Sequence, residues 1–560
     1  MISRERALEV LTAEAFDVVV IGGGVTGAGV ALDAASRGYS TAIVEREDWA
    51  IGTSSRSSKM VHGGLRYLES FDLGMVREAL LERQLMVQLA PHLVYPTPFL
   101  VPAFGDERLD LKIGIGLNMY DVMATTRVGR GRRERVARED AEDHWAPDRH
   151  RTITGEEVVE LVPALADREP SSAYLFYDCQ TDDVRLVLTI LGEAERFGAV
   201  MVNGAHVIDL LEKDGHAVGV LCREAESGEQ LEIRAANVVN ATGVWADRVR
   251  PDEIKEAKEI SRISPSRGTH ITVPLSKLDV TSAACIVPAG EDRTIFALPW
   301  YGRALLGTTD HDYDGDIAHV QPSSDDITYI LDAANDYFGL RLTESDLTGA
   351  YAGVRPLIAS GDPRKSVDIS RHSELYETSS GMLTITGGKL TTWRRMAKEV
   401  VDRLVERDGR EAPCRTADIP LGMSASAEVL TPLPPLSAED LPDGAIDQLA
   451  FRYGHAAGDV LAVASEDAEL AGPIVAGRPD LLAEATIAAR AEQARTVADV
   501  LLRRTRLGIL AAPDLRSAAA VENVAKAMGA ELGWSRRRVK REAEAWLEAR
   551  VAEGSDPAGP

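Results

Sequence analysis

One segment near the N-terminus constrains the fold of this chain more than any other, residues 16–45, FDVVVIGGGVTGAGVALDAASRGYSTAIVE. Asp17–Ile21 is a short apolar run rich in valine, as expected of a strand that is buried on both faces. Val25–Arg37 carries alanine and leucine on one face and predicts a helix. A second apolar run, Thr41–Val44, follows. The segment therefore predicts a strand–helix–strand unit.

Glycines in the spacing G-x-G-x-x-G join the first predicted strand to the helix. Gly22 permits a tight turn, Gly24 lets backbone approach a pyrophosphate, and Gly27 allows close helix–strand packing. Glu45 follows Gly24 at the distance where an acidic side chain meets an adenosine ribose. The combination predicts dinucleotide binding at the helix N-terminus, where negative charge is favoured. A glycine-rich turn in an ordinary α/β domain is the alternative, and the motif does not separate FAD from NAD.

Composition narrows the class of protein further. A chain of 560 residues predicts two or three domains, and the formal charge of −26 argues against a nucleic-acid partner. The four cysteines form no CxxC pair, so we expect neither a metal site nor disulfides. We also expect a cytoplasmic location. The first 15 residues lack the apolar core of a signal peptide. No stretch offers about 18 uninterrupted apolar residues, so only peripheral membrane attachment stays open.

Residues 48–70, DWAIGTSSRSSKMVHGGLRYLES, lack regular periodicity and concentrate hydroxyl and cationic side chains. Thr53, Ser54 and Ser58 are candidates for contacts with a pyrophosphate or a flavin. Lys59 adds a cation, and a solvated loop is the alternative. Within this segment, TSSRSSKMVHGGLRYLE resembles the signature of FAD-dependent glycerol-3-phosphate dehydrogenases. These enzymes belong to the D-amino acid oxidase and glycine oxidase group of flavoproteins.

The resemblance extends over residues 16–404, with a further match at residues 496–510. It implies an α/β fold: a Rossmann-like FAD-binding domain, an antiparallel β-sheet substrate domain and a small C-terminal α-helical domain. It also implies roles for His270 in RGTHITV, Arg355 in YAGVRPL and Lys389 in ITGGKLTTW. All three are expected to be catalytic and to bind substrate, with Arg66 and Tyr67 as further substrate-binding residues. The expected cofactor-binding residues are Gly22, Gly23, Gly24, Gly27, Glu45, Thr53, Ser54, Ser58, Lys59, Gly243, Gly388, Leu390 and Thr391.

The activity that the resemblance implies is oxidation of sn-glycerol 3-phosphate to dihydroxyacetone phosphate, with electrons passed to a quinone or another acceptor. An oxidase that uses oxygen and an amino-acid-type flavin oxidase are the alternatives. Either His270 or Arg355 is expected to serve the C2 hydroxyl, as base or as electrostatic stabiliser. We further expect a homodimer and peripheral contact with the inner face of the cell membrane.

The expected domain boundaries follow from the same resemblance and from composition. FAD-binding segments are expected at about 16–70, 154–247 and 350–408, and substrate-domain segments at about 71–153 and 248–349. A proline-rich linker is expected at 413–444, followed by the helical domain at 445–553.

Three local expectations complete the sequence analysis. Pro96, Pro98 and Pro102 predict irregular or edge-strand geometry. Residues 109–123 predict a core helix, with membrane contact as the alternative. The arginines of residues 503–506 and 536–541 predict solvated helix faces, with anionic lipid or a partner subunit as the alternative.

Overall fold

The computed structural model describes residues 3–65, 72–125, 149–249, 263–290, 293–358 and 373–557. Its strands are β1 Ala15–Ile21, β2 Thr41–Val44, β3 Met60–Val61, β4 Tyr95–Phe104, β5 Arg151–Thr154, β6 Pro170–Gln180, β7 Val200–Val202, β8 Ala205–Lys213, β9 His216–Glu224, β10 Gln230–Asn240, β11 Ile263–Pro274, β12 Ala284–Pro288, β13 Thr294–Trp300, β14 Arg303–Gly307, β15 His311–Asp312, β16 Gly349–Ile358, β17 Ser373–Glu377 and β18 Leu383–Gly387. Its helices are α1 Arg4–Ala13, α2 Val25–Ser36, α3 Leu73–Leu89, α4 Leu111–Thr125, α5 Gly155–Leu161, α6 Asp183–Arg196, α7 Ala246–Val249, α8 Ser324–Phe338, α9 Trp393–Asp408, α10 Ala445–Tyr453, α11 Ala457–Glu466, α12 Ala483–Ala491, α13 Leu507–Leu510, α14 Ala518–Glu531 and α15 Arg536–Ala552.

The first sheet places the glycine motif. Its strand order is β17-β18-β10-β1-β2-β7, and β8 and β9 extend it beyond β10. Strands β18, β10, β1, β2 and β7 run parallel, with Ile21 opposite both Val44 and Asn240. The carboxyl ends of β1, β2 and β10 therefore lie side by side, at the edge where open α/β sheets bind ligands. Helix α2 packs against α6 and α9 on one face of this sheet.

The second sheet is mainly antiparallel and follows the order β15-β11-β14-β13-β12-β4-β6-β3, with β16 paired to β11 and β5 to β6. Strands β11 and β16 pair over ten residues, so His270 lies opposite Tyr351 and Ser266 lies opposite Arg355. His270 and Arg355, two of the three residues that the sequence motifs single out, are thus carried by one antiparallel pair.

The expected domain segments and the observed sheets differ at three places. Strand β3 (Met60–Val61) lies in a segment assigned to FAD binding but pairs with β6 in the second sheet. Strand β6 (Pro170–Gln180) and strand β16 (Gly349–Ile358) belong to the second sheet, although both fall in segments assigned to FAD binding. Alternation of apolar residues identifies a strand, but the partner strand is set by contacts distant in sequence. The fold class itself is confirmed: two sheets and a C-terminal group of helices are present.

The proline-rich strand is another correction. Pro96, Pro98 and Pro102 lie within β4, which pairs with β6 along its length and with β12 at two residues. The prolines occupy alternate positions, so the edge that lacks N–H groups is the same for all three. One side of the strand can therefore form a complete ladder, and β4 lies inside the sheet rather than at its edge.

Helix α4 is less buried than the predicted core helix. Leu117 and Tyr120 are buried, whereas Leu111, Ile115 and Val122 are 77%, 61% and 60% exposed. The exposed residues are spaced four and seven apart, so they form one apolar stripe along the helix.

The first arginine cluster of the C-terminal region is also corrected. Arg503, Arg504 and Arg506 are buried, and each pairs with an aspartate from the N-terminal half of the chain. This cluster is neither a solvated face nor a lipid contact. Arg536 and Arg541 of α15, in contrast, are exposed as predicted.

Candidate active site

A single cavity of about 1320 Å³ extends from the glycine motif to the antiparallel pair β11–β16. Its volume exceeds the roughly 300–1,000 Å³ that is usual for small-ligand pockets. One end is lined by Gly22, Gly24 and Glu45, and the other by His270 and Arg355. The space thus connects the dinucleotide motif with the candidate catalytic side chains.

The glycine end of the cavity is built by close backbone approach. Gly22 has φ +108°, and a Cβ on it would lie 2.8 Å from the carbonyl oxygen of Ala241. The N–H of Gly23 donates to Glu45 Oε2 at 2.7 Å, which ties the glycine turn to the end of β2. Burial raises the pKa of Glu45. The bare backbone beside an acidic side chain suits the pyrophosphate and ribose of a dinucleotide.

Most of the expected cofactor-binding residues line the cavity, and three do not. Those in its wall are Gly22, Gly24, Glu45, Thr53, Ser54, Ser58, Gly243, Gly388, Leu390 and Thr391. Gly23 and Gly27 pack behind the wall, against Trp49 and the backbone of Gly22. Lys59 is corrected, because its buried ammonium donates to Asp183 and to the carbonyl of Ser55 instead of reaching the cavity. Arg66 and Tyr67 lie outside the described residues.

The hydroxyl groups of the loop after β2 are used mainly to hold the loop itself. Thr53 Oγ1 donates to the carbonyl of Val354 at 2.7 Å. Ser54 Oγ accepts the N–H of Val25 at 3.0 Å, which satisfies the first turn of α2. Ser58 Oγ lies 2.9 Å from Nε2 of His270. This loop therefore shapes the cavity and positions its histidine.

His270 is buried, and one of its two ring nitrogens has a hydrogen-bond partner among the described residues. Its ring stacks on Tyr351 at 4.7 Å between centroids, and Nδ1 has no hydrogen-bond partner among the described residues. Burial, together with the charges of Lys59 and Arg355, lowers the pKa of His270 well below its usual value. The imidazole is therefore neutral near pH 7, as a general base must be.

The guanidinium of Arg355 occupies the same wall. Nη1 donates to Asp310 Oδ1 at 3.1 Å, and Nη2 donates to Thr308 Oγ1 at 3.2 Å. A Cβ on Gly268 would lie 2.7 Å from Nη2, so the missing side chain makes room for the guanidinium. The group is anchored at a fixed place, where it can meet an anion or a developing alkoxide.

Lys389 lines the cavity at the end of β18, immediately before the turn Leu390–Thr392 that leads into α9. Thr391 Oγ1 bonds the backbone N–H and carbonyl of His62, both at 3.2 Å. The turn thus joins the first sheet to the loop before α3. Lys389 and Gly243 both line the cavity, and the Nζ atom of Lys389 is buried.

Sequence analysis missed three residues of this wall, Gly268, Thr308 and Asp310. The segments that carry them, RGTHITV and GTTD, resemble the flavoenzyme family. Among their residues only the histidine had an evident chemical role. The contacts of Arg355 give the other three their significance, and those contacts arise only when β11, β14 and β16 pair.

Comparison with known proteins identifies the family. Residues 17–394 match the FAD-dependent oxidoreductase family, and residues 382–539 match the C-terminal domain of alpha-glycerophosphate oxidase. Glycerol-3-phosphate dehydrogenase 2 of Mycobacterium tuberculosis is 37% identical over 554 residues, covering 98% of this chain and 90% of that protein. Aerobic glycerol-3-phosphate dehydrogenase of Bacillus subtilis is 33% identical over 522 residues, covering 90% and 89%.

A solved structure extends the likeness to the fold. The glycerol-3-phosphate dehydrogenase of Bacillus halodurans, complexed with FAD, superposes with a TM-score of 0.74 at 28% identity and covers 100% of this chain and 98% of that one. The large cavity and its glycine-lined end fit such a cofactor. The chain therefore belongs to the family of FAD-dependent glycerol-3-phosphate dehydrogenases.

Proposed function

We propose that this chain oxidises sn-glycerol 3-phosphate to dihydroxyacetone phosphate, with FAD as cofactor. One observation carries the proposal: a single cavity joins the dinucleotide motif to His270, Arg355 and Lys389. A secondary alcohol that bears a phosphate needs a proton acceptor beside one carbon and cations near the other end. The cavity wall supplies both kinds of group.

The FAD would be held by the glycine turn at Gly22–Gly24, by Glu45 and by the backbone at Gly243 and Gly388. Its flavin supplies the acceptor for the hydride that leaves C2. Thr53 and Thr391 bond the backbone of Val354 and His62, which fixes the loops that line the cavity. These residues bind and orient the cofactor, whereas the reacting alcohol is served by other residues.

His270 is the proposed base for the C2 hydroxyl. Nδ1 is buried, so the ring nitrogen that can serve the cavity is Nε2, which lies 2.9 Å from Ser58 Oγ in the cavity wall. The lowered pKa keeps this nitrogen unprotonated at neutral pH. A positioned base contributes about two to four orders of magnitude in rate.

Arg355 and Lys389 are the proposed electrostatic partners of the substrate. Asp310 and Thr308 hold the guanidinium of Arg355 where it can stabilise an alkoxide at C2 or bind the phosphate. Lys389 supplies a second positive charge in the same cavity. Arg66 and Tyr67 are proposed to complete phosphate binding, and they lie outside the described residues.

We propose a quinone as the electron acceptor, reached through peripheral contact with a membrane. The supporting feature is the exposed stripe Leu111, Ile115 and Val122 on α4, a helix that also lines the cavity. Within the described part of the chain, no helix is long and apolar enough to cross a membrane. Contact through one face of α4 would place an apolar acceptor beside the cavity.

The test is the visible spectrum of the purified holoprotein. Under anaerobic conditions sn-glycerol 3-phosphate should bleach the flavin bands, and D-amino acids or glycine should not. Persistent flavin absorbance with sn-glycerol 3-phosphate would refute the proposal. Reoxidation by a quinone analogue faster than by oxygen supports the dehydrogenase, and the reverse order supports an oxidase.

The membrane contact has its own test. Sedimentation with liposomes that carry the quinone analogue should retain the holoprotein, and Leu111→Ser together with Val122→Ser should release it without changing anaerobic bleaching, because neither side chain lines the cavity. A matched control is Leu433→Ser, since Leu433 is also exposed but lies outside the cavity wall. Equal retention of all three proteins would contradict docking through α4.

A further inference from the structure

The buried side of the active-site loop contains a second group of charged residues. Arg506, which immediately precedes α13, reaches out of the C-terminal helical region. Its Nη2 donates to the carbonyl of Ser55 at 2.9 Å and to Asp183 Oδ1 at 3.0 Å. The side chains of Arg506 and Asp183 are 1% and 0% exposed. Burying an ion pair this deeply costs desolvation free energy, so we expect the pair to have a specific role.

Asp183 connects Arg506 to residues 55–59, the loop that faces the cavity. Its Oδ2 accepts the N–H of Ser57 at 3.1 Å, the hydroxyl of Ser57 at 2.7 Å and the ammonium of Lys59 at 2.7 Å. Residues on both sides of Ser58 are thus fixed to one carboxylate. Ser58 is the residue that bonds Nε2 of His270.

The residues that follow Arg506 hold the strands of the site from the same side. The carbonyl of Ile509 accepts Thr272 Oγ1 at 2.6 Å, and Thr272 lies two residues beyond His270 on β11. The N–H of Ala512 donates to the carbonyl of Thr348 at 2.8 Å, just before β16 begins. Residues 506–512 therefore touch the loop and both strands that carry the catalytic wall.

We infer that Arg506 is a positioning residue for catalysis, contributed by the C-terminal region. It acts through Asp183 on Ser57 and Lys59, and so places the Ser58 hydroxyl that orients His270. The inference rests on the proposed role of His270. It assigns to the C-terminal region a part in the reaction at a cavity whose wall contains none of its residues.

The test compares Arg506→Gln with Arg504→Gln in holoprotein. Both arginines are buried and pair with an aspartate of the N-terminal half, but Arg504 bonds Asp48 and not the Ser55–Lys59 loop. Stopped-flow measurement of anaerobic flavin reduction by sn-glycerol 3-phosphate, at a temperature where both variants retain FAD, separates the two. Arg506→Gln should slow reduction by about tenfold to a hundredfold, since a small misplacement of a catalytic group has that cost. Arg504→Gln should stay within a few fold of the parent.

A double variant shows whether the effect passes through His270. In a His270→Gln background, Arg506→Gln should cost much less than it does alone, because the group that it positions is already missing. Equal losses in both backgrounds, or a rate for Arg506→Gln like that of Arg504→Gln, would overturn the inference. A normal rate for His270→Gln alone would instead overturn the base assignment, which makes the two failures distinguishable.

If Arg506→Gln does not retain FAD, Arg506→Lys replaces it, with Arg504→Lys as its control. The lysine keeps the charge but not the planar fork, through which Nη1 bonds Leu502 while Nη2 bonds Ser55 and Asp183. A slower reduction for Arg506→Lys alone supports positioning, and equal rates for both lysine variants refute it.

Discussion

The cavity wall and the network directly beneath it hold similar side chains in very different environments. Towards the cavity, Arg355 is 28% exposed and bonds Asp310, which is 38% exposed. Beneath it, Arg504 and Arg506 are within 1% of full burial and bond Asp48 and Asp183. The charges in the wall are paired but partly exposed to the cavity, whereas those below are enclosed by their partners within the chain. The first set is suited to chemistry and the second to holding the fold and the loop.

The largest effect is expected at the wall. His270→Gln should lower the rate of flavin reduction by about two to four orders of magnitude, because the proton acceptor is lost. FAD content and the unfolding midpoint should change little, since the amide can still bond Ser58. Rapid-mixing kinetics with a parallel thermal melt measure both quantities. An unchanged rate would remove His270 from the reaction.

The opposite pattern is expected in the network beneath. Arg504→Gln should lower the free energy of unfolding by about 1–3 kcal/mol, because buried Asp48 loses its bidentate partner and keeps only Arg503 and Asn203. Urea unfolding followed by far-UV circular dichroism measures the loss. A decrease no larger than that of an exposed arginine would show that the network is not structural.

A pH profile tests whether the network also influences the wall. Burial, Lys59 and Arg355 lower the pKa of His270, so kcat/KM should stay high as the pH falls through 6.5 and decline only in more acidic solution. Lys59→Met removes one of these positive charges and should move the acid limb to higher pH. The His270→Gln profile is the control, because it retains the ionisation of the substrate phosphate near pH 6. If the acid limb of Lys59→Met lies at the same pH as that of the parent, the charge of Lys59 does not influence His270, and the two regions are electrostatically independent.

The smallest effect is expected at the arginines of α15. Arg536→Ser and Arg541→Ser should change the free energy of unfolding by no more than about 0.5 kcal/mol, because both side chains are solvated. The same urea titration used for Arg504→Gln provides the comparison. A loss of several kcal/mol would mean that exposure does not distinguish the two arginine clusters.

Local patterns in the sequence were sufficient to predict much of the first sheet and the elements around it. The glycine turn, the continuous apolar runs and the apolar helix face predicted β1, α2 and β2 to within two residues, since these signals lie within one short segment. A local pattern, Thr154 with Glu157 three residues later, likewise predicts a capping box, and the structure shows this box at the start of α5. The motifs that carry His270, Arg355 and Lys389 identified the cavity wall, although their roles in catalysis are still proposals.

Tertiary structure decided what depends on partners distant in the chain. The sequence shows clusters of arginine at 503–506 and at 536–541. Only the fold brings Asp48 and Asp183 to the first cluster, pairs Arg538 of the second with Glu226, and leaves Arg536 and Arg541 exposed. Pairing of β11, β14 and β16 likewise decided that Gly268, Thr308 and Asp310 surround Arg355. The physical reason is the same in both cases. A charged side chain is solvated, buried or poised for chemistry according to the groups around it, and here those groups come from segments far apart in the sequence.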